Sequence, residues 1–160
     1  MTAGTPASMA RRKGTSSRAS NSSSVLSADY RASGVGNETG AASTAPGYLG
    51  QRFGAKHLVT PKDPTEADIQ AALAAAQGCE SIVFTTCNAH LFRGQLALAR
   101  ALSALGKPMA AAALRNPYDL SALPEGLWKL AVYDYAEPSI AALAEILLGG
   151  KAQGTCPVKL

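Results

Sequence analysis

The sequence is short of histidine, cysteine and aromatic side chains, and each shortage removes a class of function. Its two His and three Cys form no CxxC pair and no Cys/His spacing that would close a zinc or redox site, so no metal is expected. Cys79, Cys87 and Cys156 are odd in number and far apart. That argues against a disulfide framework and fits a reducing compartment. No stretch approaches the roughly 20 apolar residues of a membrane span. Arg11-Arg12-Lys13 leads into Ser and Thr where a secretory signal would have an apolar segment. A cytoplasmic protein with no membrane partner is the expectation.

The aromatics make up 6% of the chain and are unevenly placed, with the single Trp and all three Phe after residue 47. Residues 1–47 are mostly Ser, Thr, Ala and Gly, which cannot offset the entropy of ordering. They read as a disordered low-complexity leader, and residues 48–160 as one α/β domain. Through Lys56 there are seven basic residues against Asp29 and Glu38, a net of +5, whereas residues 57–160 carry eight basic and nine acidic, a net of −1. The pI near 9.1 therefore comes from the first 56 residues, and nucleic acid is not an expected partner. The Ser-rich, Arg-bearing leader lacks the amphipathic spacing of a transit peptide, and a mis-assigned start or out-of-frame segment accounts for it equally well. Its Gly34–Gly40 run resembles a phosphate loop but has no strand before it and no apolar helix after it.

Strand and helix signals alternate through the remainder. Thr65 followed by Asp68 is a capping signature for a helix from Glu66 to about Gln77, with Ile69, Ala72, Leu73 and Ala76 on one stripe. Ser81–Thr86 reads as a strand buried on both faces, and Leu91–Leu105 as a helix with Gln95 and Arg100 outside its apolar side. Met109–Leu114 and Trp128–Tyr133 supply two more strands, separated by a loop or single turn. A helix from Pro138-Ser139 runs through Leu148, and Cys156–Leu160 is a fourth, weaker strand signal. The expected architecture is a three-layer α/β/α sandwich on a mostly parallel sheet of flavodoxin or Rossmann type. A flavodoxin-like enzyme would need a phosphate-binding loop after its first strand. None is visible, so no cofactor is expected.

Parallel strands direct their exits to one rim, where ligands of such sheets collect. The exits gather Asn88 and His90, then Arg115, Asn116, Tyr118 and Asp119, and these six are the rim candidates. Cys87 beside His90 invites a Cys/His nucleophile, but a free cysteine at a strand end more often packs as a small hydrophobe. Asp119 and Asp134 lie on neighbouring exits, and the reading is two solvated carboxylates with nothing to separate their pKa values. Arg115 is expected to pair with Asp119, and Asn116 to close a turn before Pro117. His57 and His90 read as structural. Trp128, Tyr133 and Tyr135 are the expected exposed apolar face.

Phe53-Gly54-Ala55-Lys56-His57, Asn88-Ala89 with Gly94-Gln95, and Leu114-Arg115-Asn116-Pro117-Tyr118-Asp119-Leu120 occur in order. They are followed by Tyr133, Pro138-Ser139, Gly154 and Pro157-Val158. In these words residues 50–160 resemble the C-terminal domain of family 3 glycoside hydrolases, most closely the bacterial β-N-acetylhexosaminidase branch. The resemblance implies a catalytic (β/α)₈ barrel as N-terminal partner and an amino-sugar glycoside as family substrate. It also implies that the nucleophile and, in this branch, the proton donor sit on that barrel. A barrel needs about 250 residues, so the expectation is a detached accessory domain without catalytic residues. In the β-glucosidase branch this domain lends a glutamate acid, and neither Glu125 nor Glu137 matches that motif. The alternative is a stand-alone carbohydrate-binding or protein-interaction module.

Overall fold

The computed structural model describes residues 24–28 and 45–157. In chain order the elements are β1 (Ser24–Ala28), α1 (Ala45–Phe53), β2 (Lys56–Thr60), α2 (Glu66–Gln77) and β3 (Ile82–Thr86). They continue with α3 (Arg93–Ser103), β4 (Met109–Ala113), α4 (Asp119–Ala122), β5 (Trp128–Ala131) and α5 (Glu137–Leu147). The five strands form one parallel sheet in the order β2-β1-β3-β4-β5. This is the flavodoxin-like order, in which the chain reverses its direction of winding between β1 and β3.

Period-two alternation assigns the helices to the two faces. Ile82 and Phe84 of β3, with Met109, Ala111 and Ala113 of β4, pack against Ile69, Ala72 and Ala76 of α2 and Leu98, Ala99 and Leu102 of α3. Val83 and Ala112 point the other way, to Leu49 of α1 and Ile140, Leu143 and Ala144 of α5. Three layers result, as the sequence predicts. The alanine run of β4 is buried throughout, and its short side chains leave room for helices on both faces.

Local chemistry sets the helix ends. The Thr65 hydroxyl accepts from the Asp68 amide at 3.4 Å while the Asp68 carboxylate accepts from the Thr65 amide at 2.8 Å, so the predicted capping box is present. These bonds hold the Asp68 carboxyl below its ordinary pKa, the side-chain bond from Thr65 most of all. At the other end of α2, Lys107 Nζ donates to the carbonyls of Ala76, Gln77 and Cys79 at 2.5–2.7 Å. A cation placed there satisfies carbonyls the helix leaves open and complements its dipole.

Three sequence expectations change. Order begins inside the supposed leader, because Ser24–Ala28 is hydrogen-bonded between β2 and β3 even though its serines and alanine are poor strand formers. Its boundary at residue 48 also moves back to Ala45. Pro46 stands in the first turn of α1, where a missing N–H costs nothing. Lys56–Thr60, which carried no strand signal, is an edge strand whose half-exposed pattern hides its periodicity. The expected strand at Cys156–Leu160 is not formed through residue 157, and 158–160 lie outside the described residues. Among the described residues no helix is long and apolar enough to cross a membrane.

Candidate functional site at the strand exits

The exits of β3 and β4 are tied together by one carboxylate. Asp119, the first residue of α4, has no solvent exposure. Its Oδ2 accepts from the Thr86 hydroxyl at 3.1 Å, and its Oδ1 from the His90 amide at 3.2 Å. The same Oδ1 lies 2.7 Å from His90 Nδ1, in a side chain that is 34% exposed. A carboxylate accepts, so Nδ1 carries the proton of this bond. Asp119 is thus a buried tie across two strands instead of the expected solvated carboxylate. Its partners are His90 and Thr86, not Arg115. Arg115 is exposed and bears on the exit through its field alone.

The turn before Asp119 follows the sequence closely. Asn116 Oδ1 accepts from the Tyr118 amide at 3.1 Å, closing the residue-before-proline turn, and the Asp119 amide donates to the Asn116 carbonyl. This directs Tyr118 outward at 54% exposure. Asn88 adopts a left-handed φ of 56°, where asparagine is tolerated better than most residues, and its carbonyl accepts from the Leu91 amide. Leu91 is 65% exposed. His90, Leu91, Arg115 and Tyr118 therefore share the rim, with Asn88 and Asn116 half-buried beneath.

Two residues that were not among the rim candidates, Gln95 and Asp63, hold the β3 exit. Gln95 is fully buried, contrary to its expected outward place. Its Oε1 accepts from the Cys87 amide, and its Nε2 donates to the carbonyls of Cys87 and Lys62. The signal was present: Gln95 heads the i, i+3, i+4, i+7 stripe continued by Leu98, Ala99 and Leu102. Asp63 accepts from the Gly94 amide at 2.7 Å, and Pro64 O would lie 2.2 Å from a Cβ at Gly94. That close approach requires glycine. The Lys62 ammonium stands 4.3 Å above the Phe92 ring, fixing the same loop pair.

Cys87 is buried, and desolvation pushes its thiol pKa up; Asp119 adds to the rise while Arg115 and Lys62 oppose it. A thiol so placed is a packed hydrophobe and a poor nucleophile. Asp134 accepts from the Tyr135 amide at 2.7 Å and the Ser139 hydroxyl at 3.2 Å, and so serves the entry to α5. Of the expected apolar face only Tyr133 is exposed, at 46%; Trp128 is half-buried and Tyr135 packs on the second core cluster. Among the described residues no three His, Cys, Asp or Glu gather as a metal would require.

No family model and no curated protein sequence matches the chain. Solved structures do. A glycoside hydrolase family 3 β-N-acetylglucosaminidase from Paenibacillus sp. str. FPU-7 superimposes with a TM-score of 0.68 at 24% identity, covering 91% of this chain and 28% of that one. A β-glucosidase from Listeria innocua, solved with isofagomine, gives 0.60 at 17% identity over 82% of this chain and 22% of its own. A fungal multi-domain family 3 β-N-acetylglucosaminidase gives 0.57 at 18% identity, with 81% of this chain and 14% of that one. The likeness shows the fold: this chain has the architecture of one part of such enzymes and spans between 14% and 28% of their length.

Proposed function

We propose that the chain is the C-terminal accessory domain of a family 3 glycoside hydrolase, built to support a catalytic (β/α)₈ barrel and without hydrolytic activity of its own. The observation that carries this reading is the asymmetry of coverage: 91% of this chain corresponds to 28% of the Paenibacillus enzyme. The ordered motifs from Phe53 to Pro157 and the β-N-acetylglucosaminidase neighbours favour the hexosaminidase branch and an amino-sugar glycoside.

The rim chemistry is consistent with an inert domain. Retaining hydrolysis needs two carboxyl groups about 5 Å apart with separated pKa values. Asp119 is sealed by three hydrogen bonds, and Asp134 is engaged at the start of α5. Neither offers a free carboxyl to a glycosidic oxygen. His90, Asn88, Arg115, Asn116 and Tyr118 then line the rim beside the barrel, with Asp119 fixing His90 from below. The test is complementation: a barrel region of the Paenibacillus enzyme, prepared without its α/β domain, should hydrolyse a chromogenic N-acetylglucosaminide faster once this chain is added. An unchanged rate across a wide range of chain concentration would remove the supporting role.

The exposure of Tyr118 and Leu91 favours a second reading, a stand-alone module that binds sugar or protein through the same rim. Titration with N-acetylglucosamine, followed by amide chemical shifts, separates the two. Saturable shifts at Tyr118 and His90 in the isolated chain would favour the module, and their absence the support.

A further inference from the structure

The most exposed large apolar side chains among the described residues are Leu91, Tyr118, Tyr133 and Leu148. Three of them share one place in the fold. Leu91 follows β3 by five residues, Tyr118 follows β4 by five, and Tyr133 follows β5 by two. These strands are parallel and adjacent, so their exits lie at one end of the sheet, and with neighbours about 4.8 Å apart the three span roughly 10 Å. A short apolar row therefore crosses the rim. Leu148 is the C-cap of α5, and because α5 leads away from the β5 exit it stands at the opposite end.

The backbone holds this row in solvent. The Leu91 amide closes a turn on the carbonyl of left-handed Asn88 at 2.9 Å, and the Tyr118 amide closes another on Asn116 Oδ1 at 3.1 Å. Tyr133 itself has a φ of 66°, a region where a bulky side chain is an outlier that its surroundings must impose. Charge borders the row. Arg115, three residues before Tyr118, is exposed and has no ion-pair partner among the described residues. The carboxylates beside it are engaged elsewhere: Asp119 is buried on Thr86 and His90, and Asp134 accepts from the Tyr135 amide and the Ser139 hydroxyl.

Tyrosine and arginine are the residues that protein interfaces concentrate at their anchors, and the Leu91 side chain has no hydrogen-bonding atom to offer a sugar. We infer that Leu91, Tyr118 and Tyr133 anchor this domain on the catalytic barrel, and that the barrel face opposite them is apolar with a carboxylate placed for Arg115. The inference rests on the accessory role proposed above and adds the contact face and the charge of the surface it meets. Length favours this occupant, since the part matching this chain is only 28% of the Paenibacillus enzyme and most of that chain lies outside it.

The test uses the full chain and a Paenibacillus barrel preparation that retains measurable hydrolysis, with association read directly by fluorescence of labelled barrel. Tyr118→Ser and Tyr133→Gly should each raise the half-saturating concentration about tenfold or more. Glycine suits the left-handed position at 133, so a loss there reports the missing ring and not misfolding. Leu148→Ser, at the far end, should bind like the native chain. Raising NaCl from about 50 to about 300 mM should weaken the native chain and affect Arg115→Gln much less. Native-like binding by both tyrosine variants, an equal loss in Leu148→Ser, or an unchanged salt dependence in Arg115→Gln would each overturn the inference while leaving the accessory role standing. No association of the native chain would remove that role and this inference with it.

Discussion

A carboxylate without solvent exposure needs its acceptor positions filled, and Asp119 fills them from two strand exits at once. Asp119→Asn keeps the size but places an amide where only acceptors fit, and should cost about 2–3 kcal/mol of unfolding free energy in urea. Thr86→Val removes one donor and should cost about 1 kcal/mol. If Asp119→Asn were as mild as Thr86→Val, the tie would not be holding the exits. The cysteines give a second residue-scale expectation. Cys156 is exposed, while Cys79 and Cys87 are buried and burial raises the Cys87 pKa. Near neutral pH one thiol of the native chain should react quickly with an alkylating reagent and two only after denaturation, as counted by mass spectrometry. Sequence made the outline of the site legible, since the residues on either side of Pro117 do form the expected turn. It could not show which polar group goes inside. Asp119 is buried because Thr86 and His90, far off in sequence, meet it in space, and local pattern carries no record of that.

At the level of elements, caps and close approaches decide what a substitution does. Thr65→Ala should cost about 1 kcal/mol by removing the N-cap of α2. The pH dependence has a fixed sign: the folded state holds Asp68 below its ordinary value of 3.8. The stabilisation is therefore present above about pH 4 and lost as the pH falls through the depressed value. Asp68→Asn should flatten that acid limb in a pH series of thermal melts, and an unchanged limb would assign it to other groups. Lys107→Met should loosen the last turn of α2, costing about 1–2 kcal/mol. Gly94→Ala must displace the Asp63-Pro64 loop and should cost about 2 kcal/mol or more. Both follow from the same denaturation curves. The α2 boundaries were readable because capping box, stripe and terminal glycine all agree. β1 and β2 were not, because one is serine-rich and the other is a half-exposed edge. In both, pairing with neighbours supplies what composition withholds.

For the molecule as a whole, alternating strands and helices were enough to foresee a parallel three-layer sandwich, whereas strand order depended on a central strand that sequence had assigned to the leader. The fold that results matches one part of much longer glycoside hydrolases. The rim it presents has a buried carboxylate, an imidazole hydrogen-bonded to it and an exposed tyrosine, which on the proposed reading suit contact better than bond cleavage. An accessory role requires that chemistry be absent from the isolated chain. The most direct measurement is hydrolysis of a chromogenic N-acetylglucosaminide by the purified chain alone. The account predicts release no faster than in buffer, equally for the native chain and for Asp119→Asn. Turnover above background that disappears in Asp119→Asn would contradict it and place catalysis on this domain.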